Sequence, residues 1–325
     1  HPGEKDRRFM QYLRTGSLPI VDPDGDETFE QDLLTGVFNT VLVKDVLAHT
    51  GASDASVLED VARFLYSNVG NITSCNSISR ILKEDNRQVR RYIDAMRDAF
   101  LIHKAERFDI RGKKLLDTLE KYYVSDIGMR NAVLGISSRE DVSRLVENVV
   151  YLELIRRGYE VAVGKYGDTE VDFTARRGDD VEYYQVTLSM ISESAYEREV
   201  RPFRLIRDSY PKTVLSMDSF LMGIPDGIRH RNVIDWLLEE RSLQQPIHRV
   251  DQLHAVGHRM LVAVHGDQHP PGIGIQLQER VQLPFERPLV VKPQGHLIEL
   301  GDAVVVPCSE IDLPVPVGAD RHPVP

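Results

Sequence analysis

Hydrophobic residues recur with helical spacing through the first hundred residues of the chain. The pattern predicts four helices, over residues 28–50, 55–69, 73–82 and 87–100. Thr73 or Ser74 stands at the cap position of the third helix, and Asp85 or Asn86 at that of the fourth. Such short polar side chains accept a hydrogen bond from the first turn, so the sequence itself marks where both helices begin.

Two strands are predicted directly after these helices, over residues 101–109 and 120–125. The segment between them contains a basic turn, Arg111, Gly112, Lys113 and Lys114. Three helices followed by a hairpin with a basic tip are the order of a winged helix-turn-helix. We therefore predict a winged-helix domain over residues 51–135.

From residue 139 onward, helices and strands alternate. The predicted elements are a helix over 139–157, strands over 159–164, 170–175 and 181–188, a helix over 193–209, a strand over 212–217 and a helix over 233–240. The first of these helices is apolar nearly all round, which indicates a buried helix, and Gly158 ends it. We predict a mixed α/β domain over residues 136–240 and an α/β fold class for the chain.

The helix over 87–100 has the two faces that a recognition helix needs. Its predicted core stripe consists of Val89, Ile93, Met96 and Phe100. Arg87 and Arg91 lie almost opposite this stripe, with Arg90 on its flank. Cations that face outward can contact phosphates and base edges. Asp94 and Asp98 share the outward face, however, so a solvated salt-bridged face is the alternative.

The charge of the chain is uneven. The net charge is -10, yet residues 71–114 hold 11 basic and 6 acidic side chains, between segments of net -6 and net -7. A basic island in an acidic chain favours a local anionic partner, here double-stranded DNA, with docking to a protein as the alternative. The predicted nucleic-acid contacts are Arg87, Arg90, Arg91, Lys104, Lys113 and Lys114.

Composition narrows the class of protein further. Among the 325 residues there is no apolar run of 18 or more, which argues against a membrane span. The cysteines Cys75 and Cys308 are far apart, which excludes cysteine-based zinc sites and favours a reducing, cytoplasmic location. The chain starts at His1 with charged residues, so we expect that it was cut from a longer sequence.

The last segment, residues 241–325, differs from the rest in composition. It holds 7 of the 11 histidines and 11 of the 17 prolines. It is interpreted either as a small proline-rich β appendage, with a short strand at 304–307, or as a stretch never selected to pack with the rest. The cluster His254, His258, His265 and His269 lacks acidic partners, which weighs against a metal site.

Polar residues interrupt the apolar pattern of the second half at three places. Glu147 stands inside the buried helix, where a carboxylate is costly without a partner or a metal. Alternation along the next strands places Val171 with Phe173 on one face and Asp172 on the other, beside Gln185. Two carboxylates and an amide oxygen around one point suit Mg²⁺, so Glu147 and Asp172 are the candidate metal ligands.

This arrangement resembles the PD-(D/E)xK nuclease-like fold, that of the restriction endonucleases. The match is Glu147, Asp172 and Gln185, with Thr187 where the pattern has lysine. The resemblance implies a Mg²⁺-dependent DNA nuclease, but threonine is a poor substitute for the lysine that stabilises charge on the scissile phosphate. Lys165 could reach in from the neighbouring strand. We expect a structural or substrate-binding site, with an active nuclease as the alternative.

A wider resemblance covers about residues 9–240. Its motifs are Phe9-x-x-Tyr12-x-x-x-Gly16-x-Leu18-Pro19, the run from Lys121 to Asn131, Glu147-Asn148, the segment from Tyr151 to Tyr159, Glu170-Val171-Asp172-Phe173 and Tyr184-Gln185-Val186. In these the chain resembles a bacterial and archaeal family that has an amino-terminal AAA-type P-loop ATPase module and a carboxy-terminal domain of unknown function.

The family's ATPase would need a glycine-rich loop ending in Gly-Lys-Ser/Thr to hold phosphates, and this sequence has none. The resemblance therefore implies the carboxy-terminal part of such an ATPase, with residues 1–50 as the end of its helical lid. ATP belongs to the full-length pattern, and no cofactor is expected in this chain. We predict a DNA-binding or docking module without enzymatic activity of its own; a regulatory protein-interaction module is a further alternative.

Overall fold

The structure is a computed structural model. It describes residues 2–50, 55–135, 139–220 and 223–239, together with three short strands between residues 289 and 307. The chain divides into two compact units, residues 1–257 and 258–325. The first unit contains helices and a mixed β-sheet, so the predicted α/β fold class is confirmed.

Helices make up most of the first half of the first unit. They are α1 (Pro2–Thr15), α2 (Glu27–Val41), a π-helical segment (Leu42–Leu47), α3 (Ala48–Thr50), α4 (Ala55–Ser67), α5 (Cys75–Leu82) and α6 (Asn86–Asp98). The predicted caps are confirmed, because Ser74 accepts a hydrogen bond from Ser77 N–H and Asp85 accepts from Arg87 and Gln88 N–H. Helix α1 was not predicted as an element of its own.

In the residues that the structure describes, the second half adds four helices to a seven-stranded sheet. The helices are α7 (Ile127–Leu134), α8 (Arg139–Arg156), α9 (Glu193–Leu205) and α10 (Val233–Leu237). The strands are β1 (Ile102–Asp109), β2 (Lys114–Val124), β3 (Glu160–Tyr166), β4 (Thr169–Arg177), β5 (Asp180–Val186), β6 (Lys212–Ser216) and β7 (Arg229–Asn232). Their order across the sheet is β2-β1-β3-β4-β5-β6-β7. Sequence patterns predicted neither α7 nor β7.

The β1–β2 hairpin is continuous with the sheet of the second half. Strand β1 pairs antiparallel with β2 and, through Arg107–Asp109, parallel with Val163–Lys165 of β3. The segment predicted as a winged helix and the segment predicted as nuclease-like therefore share one sheet. This continuity allows residues of β2 to reach a site built mainly on later strands.

A β-bulge in β4 alters the predicted alternation of faces. Ala162 pairs with Thr174 but Gly164 pairs with Val171, so Asp172 and Phe173 together oppose a single residue of β3. Val171 consequently lies in the hydrophobic cluster that includes residues of α9, whereas Phe173 packs against Tyr151 of α8. The prediction that Val171 and Phe173 share a face is therefore wrong, because the extra residue reverses the alternation.

The second unit contains a small antiparallel sheet. Its strands are β8 (Leu289–Val291), β9 (His296–Glu299) and β10 (Val305–Pro307), in the order β10-β9-β8. The strand predicted at 304–307 is thus confirmed. The histidine cluster between His254 and His269 lies outside the described residues. Within the part of the chain that the structure describes, no helix has both the length and the apolar character needed to cross a membrane.

Candidate functional site

Three carboxylates converge on one buried ammonium group. Lys121 Nζ on β2 lies 3.1 Å from Glu147 Oε1 on α8, 2.8 Å from Glu170 Oε1 and 3.9 Å from Asp172 Oδ1 on β4. The lysine side chain is only 5% exposed. We call Lys121, Glu147, Glu170 and Asp172 the lysine–carboxylate cluster.

Two side chains of β2 contact Glu147 of this cluster, because every second residue of a strand lies on the same face. Tyr123 lies two residues after Lys121, on the same face of β2, and its hydroxyl donates to Glu147 Oε1 at 2.7 Å. The loop before α5 supports the site from the other side. Gly70 has φ +72°, donates its N–H to Tyr122 O, and leaves so little room that a Cβ there would lie 3.2 Å from Glu147 Oε1.

The residues predicted as catalytic do come together. Asp172 N–H donates to Gln185 Oε1 at 3.2 Å, and Asp172 Oδ2 accepts from Val186 N–H at 2.8 Å. Lys121 joins this pair of strands to Glu147 on α8. The amide oxygen predicted as a metal ligand is thus occupied by the backbone of β4, and it fixes the position of Asp172 instead.

The cation of the site is Lys121, which belongs to a resemblance motif but was not predicted as a site residue. Thr187, at the position of the pattern's lysine, is buried and its hydroxyl donates to Ser189 O at 3.4 Å. Lys165 lies opposite Glu170 in the strand register, but among the described residues it forms no ion pair. Lys121 occupies the space between the carboxylates.

Burial controls protonation in this cluster. Desolvation, followed by the charge of Glu147, raises the pKa of Asp172 well above its ordinary value. Burial alone would lower the pKa of Lys121, but Glu147, Asp172 and Glu170 outweigh it and raise that pKa. Burial and Glu147 also raise the pKa of Tyr123, so the phenol stays neutral and donates its proton. The ammonium ion is therefore the charge that the cluster is built to hold.

The carboxylate oxygens of the cluster suit a small cation. The ammonium group of Lys121 is that cation in this chain. Among the described residues, no three histidine, cysteine, aspartate or glutamate side chains are arranged to hold a metal ion. Glu147 and Asp172 offer the oxygen atoms that Mg²⁺ prefers. The ammonium of Lys121 lies within 4 Å of both, so Mg²⁺ would have to share or displace its contacts.

The cluster opens onto a cleft between β4, β5 and α9. The cleft has a volume of about 480 Å³. Its polar lining includes Glu170, Asp172, Gln185, Arg198, Glu199 and Arg201. Glu170 and Asp172 line the cleft from β4, whereas Arg198, Glu199 and Arg201 line it from α9, so the cleft presents both signs of charge to a ligand.

The predicted basic residues lie in two settings. Arg87, Arg90 and Arg91 are exposed on α6, and Lys113 and Lys114 are exposed at the tip of the hairpin. Asp94 pairs with Arg97 at 3.2 Å and, among the described residues, forms no ion pair with those three arginines. Lys104 differs, because its Nζ lies 3.1 Å from Glu106 Oε1 and 3.5 Å from Glu120 Oε2.

Several residues of the motifs that carry the family resemblance connect α1 to α7. Asp126 accepts hydrogen bonds from Met129 N–H at 2.7 Å and Ser17 N–H at 2.9 Å. Asn131 donates to the carbonyl oxygens of Leu13 and Arg14 at the end of α1. A Cβ at Gly128 would lie 2.0 Å from Thr15 O. These residues hold α1 against α7 and carry no exposed chemistry.

Comparison with known proteins gives relatives without a described activity. Residues 6–140 match the model of a domain of unknown function (DUF8612). The chain is 35% identical over 239 residues to an uncharacterized protein of Haemophilus influenzae, covering 72% of this chain and 58% of that protein. It is 27% identical over 208 residues to the uncharacterized protein MJ1544 of Methanocaldococcus jannaschii, covering 61% and 46%. No solved structure matches. The chain thus spans about half the length of these relatives.

Proposed function

We propose that the chain is a DNA-binding module, in which α4, α5, α6 and the β1–β2 hairpin form a winged helix. The observation that carries the proposal is the outward face of α6. Arg87, Arg90 and Arg91 are exposed there; Arg87 and Arg91 lie opposite the buried residues Val89 and Ile93, and Arg90 lies on the flank. In the described part of the chain, none of these three arginines forms an ion pair, so their charges are available to phosphates.

The alternative of a fully salt-bridged face receives little support from the side-chain contacts. Arg97 takes up the carboxylate of Asp94, which removes that carboxylate from competition with Arg90 and Arg91. Lys113 and Lys114 add two exposed cations at the hairpin tip. Five available cations predict a slope of log K against log salt of about -4.5, at roughly -0.9 per phosphate contact.

The test is fluorescence anisotropy with a labelled duplex of about 20 base pairs over about 25 to 200 mM salt. The double variant Arg87→Gln/Arg91→Gln is expected to reduce the slope by about two units. Arg207→Gln/Arg229→Gln, which removes the same charge from two exposed arginines that form no ion pair among the described residues, is the control. Absence of binding by the unaltered chain at about 25 mM salt would refute the proposal and favour docking to a protein.

We further infer that the chain corresponds to the carboxy-terminal part of an AAA-type ATPase, with residues 1–50 next to the missing nucleotide module. Both relatives are longer than the part that aligns, which leaves room for such a module. The sequence has no phosphate-holding Gly-Lys-Ser/Thr loop. Titration with a fluorescent ATP analogue in the presence of Mg²⁺ should give no saturable binding, and tight saturable binding would contradict this assignment.

A Mg²⁺-dependent nuclease of the PD-(D/E)xK type is the second candidate, and Lys121 is the observation that favours it. A lysine from β2 lies beside Glu147 and Asp172, where Thr187 cannot supply a positive charge. Glu147 and Asp172 would hold Mg²⁺, which would polarise a phosphodiester. Lys121 would stabilise negative charge on the phosphate, and Gln185 would position Asp172.

Incubation of plasmid DNA with the chain and Mg²⁺ or Mn²⁺ separates the two candidates. A nuclease should lose cleavage in Glu147→Gln and retain it in Asp179→Asn, which changes an exposed turn. Cleavage that survives Glu147→Gln would point to a contaminant. DNA binding without cleavage would leave the non-catalytic module as the function.

A further inference from the structure

The loop between α1 and α2 is strongly acidic, and a buried carboxylate faces it. Asp22, Asp24, Asp26 and Glu27 follow one another closely there, and all four are exposed. Glu30, in the first turn of α2, is only 7% exposed. Within the described part of the chain, its Oε2 atom is buried and has no hydrogen-bond partner. Because a buried carboxylate needs a partner or a metal, Glu30 indicates a missing cation.

The arginines of α1 balance only part of the charge of this loop. Arg8 lies 3.7 Å from Asp24 Oδ2, and Arg14 lies 3.5 Å from Glu27 Oε2. The other two aspartates of the loop, like Glu30, form no ion pair in the ranges that the structure describes. Three carboxylates around one loop are therefore left for a cation from solution.

Gly25 provides the space in which oxygen atoms of the loop and of α2 meet. A Cβ at this glycine would lie 2.9 Å from Glu30 Oε1, 3.1 Å from Asp22 O and 3.2 Å from Asp22 Cβ. One point is thus bordered by the carboxylate of Glu30 and by both the main chain and the side chain of Asp22. Asp22 Oδ1 accepts the N–H of Asp24 at 3.0 Å, which holds this side chain in place through one of its two oxygens.

Oxygen donors of this mixed kind suit Ca²⁺. This ion accepts carboxylate and main-chain carbonyl oxygens in an irregular arrangement, and water completes its shell, whereas Mg²⁺ requires a nearly octahedral one. Among the residues described, no three acidic, histidine or cysteine side chains already surround a cation position. Main-chain oxygen and water must therefore supply part of the shell, and we expect weak binding with a Kd of roughly 10⁻⁴ M.

We propose that Glu30 and Asp22, around Gly25, form a Ca²⁺-binding site. Both residues supply carboxylate oxygens, and Asp22 O adds a main-chain ligand. The ion neutralises the buried carboxylate of Glu30 and joins the loop to the first turn of α2. Because Gln11 of α1 donates to Pro23 O at 2.7 Å, the ion also stabilises the connection between α1 and α2. The site is independent of the proposed DNA binding.

The test is calorimetric titration of the full chain with CaCl₂ after treatment with a chelator. Glu30→Gln keeps the size of the side chain, removes its charge and should weaken Ca²⁺ binding about tenfold or more. Asp22→Asn changes an exposed ligand and should weaken it about fivefold. The matched control is Asp32→Asn, which removes a charge from an exposed position of α2 and should leave the Kd within about twofold.

Glu147→Gln separates this site from the lysine–carboxylate cluster. Binding that persists in Glu147→Gln and is lost in Glu30→Gln supports the proposal. Loss in Glu147→Gln alone would place the ion in the cluster and overturn it. Equal losses in Glu30→Gln and Asp32→Asn would show general attraction to an acidic surface and would also overturn it.

Two further results would contradict the site. One is the absence of saturable binding by the unaltered chain up to about 10 mM CaCl₂, well above the expected Kd. The other applies if Glu30→Gln does not fold, because Asp22→Asn then decides, and undiminished Ca²⁺ binding by that variant would overturn the proposal. None of these measurements involves DNA, so their outcome leaves the proposed function of α6 untouched.

Discussion

The lysine–carboxylate cluster and the outward face of α6 use the same kinds of charged residues in opposite ways. Lys121 is 5% exposed and contacts Glu147 and Glu170 within 3.1 Å. Arg87 and Arg91 are exposed and, among the described residues, have no ion-pair partner. A buried charge must be balanced inside the protein, whereas water screens an exposed charge until a ligand replaces it.

This difference determines what each region contributes. Removing one partner of a buried ion pair leaves an uncompensated charge and is strongly destabilising. Exposed ion pairs and single surface charges contribute little to stability, so their loss is felt mainly in binding. We therefore expect changes in the cluster to alter the fold, and changes on α6 to alter affinity for DNA.

The largest effect is expected for Lys121→Met. The substitution keeps a long apolar side chain but removes the charge between Glu147, Glu170 and Asp172. We expect a loss of about 3–5 kcal/mol in the free energy of unfolding, measured by urea denaturation, because the carboxylates lose their counter-ion.

Lys114→Met is the matched control, since Lys114 lies at the exposed beginning of the same strand. It should change stability by less than about 0.5 kcal/mol. Equal effects of the two substitutions would show that Lys121 is not a structural counter-ion.

The sequence predicted the exposed region better than the buried one, for a physical reason. The faces of α6 follow from helical periodicity, so the buried positions of Val89, Ile93 and Met96 and the exposed position of Arg87 could be predicted. Phe100 is the exception: it lies beyond the end of α6, with φ +55°, and is only partly buried.

The lysine–carboxylate cluster depends on contacts between residues far apart in the chain. Glu147, Asp172 and Gln185 could be predicted because polar residues in apolar elements stand out. Lys121 could not be placed, since its role depends on the parallel pairing of β1 with β3. The available signal was a lysine directly before the apolar run Tyr122, Tyr123 and Val124. The β-bulge at Asp172 likewise could not be predicted, because the polar and apolar residues around it alternate as they do in a regular strand.

An intermediate effect is expected from pH, through His103 on β1. Burial, followed by the charge of Arg97, lowers the pKa of His103 to about 4 from an ordinary value of 6.5. The unfolded chain therefore binds a proton between these values when the folded chain does not. The contribution of His103 to the free energy of unfolding is fully present above pH 6.5 and is lost as the pH decreases toward 4. The loss attributable to this residue is up to about 3 kcal/mol, at 1.36 kcal/mol per pKa unit.

Denaturation of the unaltered chain and of His103→Gln over this pH range measures the contribution. Glutamine can keep a hydrogen bond to Ser125 Oγ, which lies 3.1 Å from His103 Nε2. The variant should lose distinctly less stability on acidification. Parallel pH profiles for both proteins would mean that His103 titrates normally in the folded state.

The smallest expected effect is a difference in DNA binding between two lysines of the hairpin, both of which the sequence predicts as nucleic-acid contacts. Lys104 is paired with Glu106 and Glu120, whereas Lys114 is exposed and, in the described part of the chain, forms no ion pair. Lys114→Gln should reduce the DNA salt slope by about 0.9, the value for one phosphate contact. Lys104→Gln should reduce it by less than half of that, because the partner carboxylates already offset its charge. If the two variants reduce the slope equally, Lys104 must leave its carboxylates on binding DNA, and ion pairing would no longer explain which cations of the hairpin contact DNA.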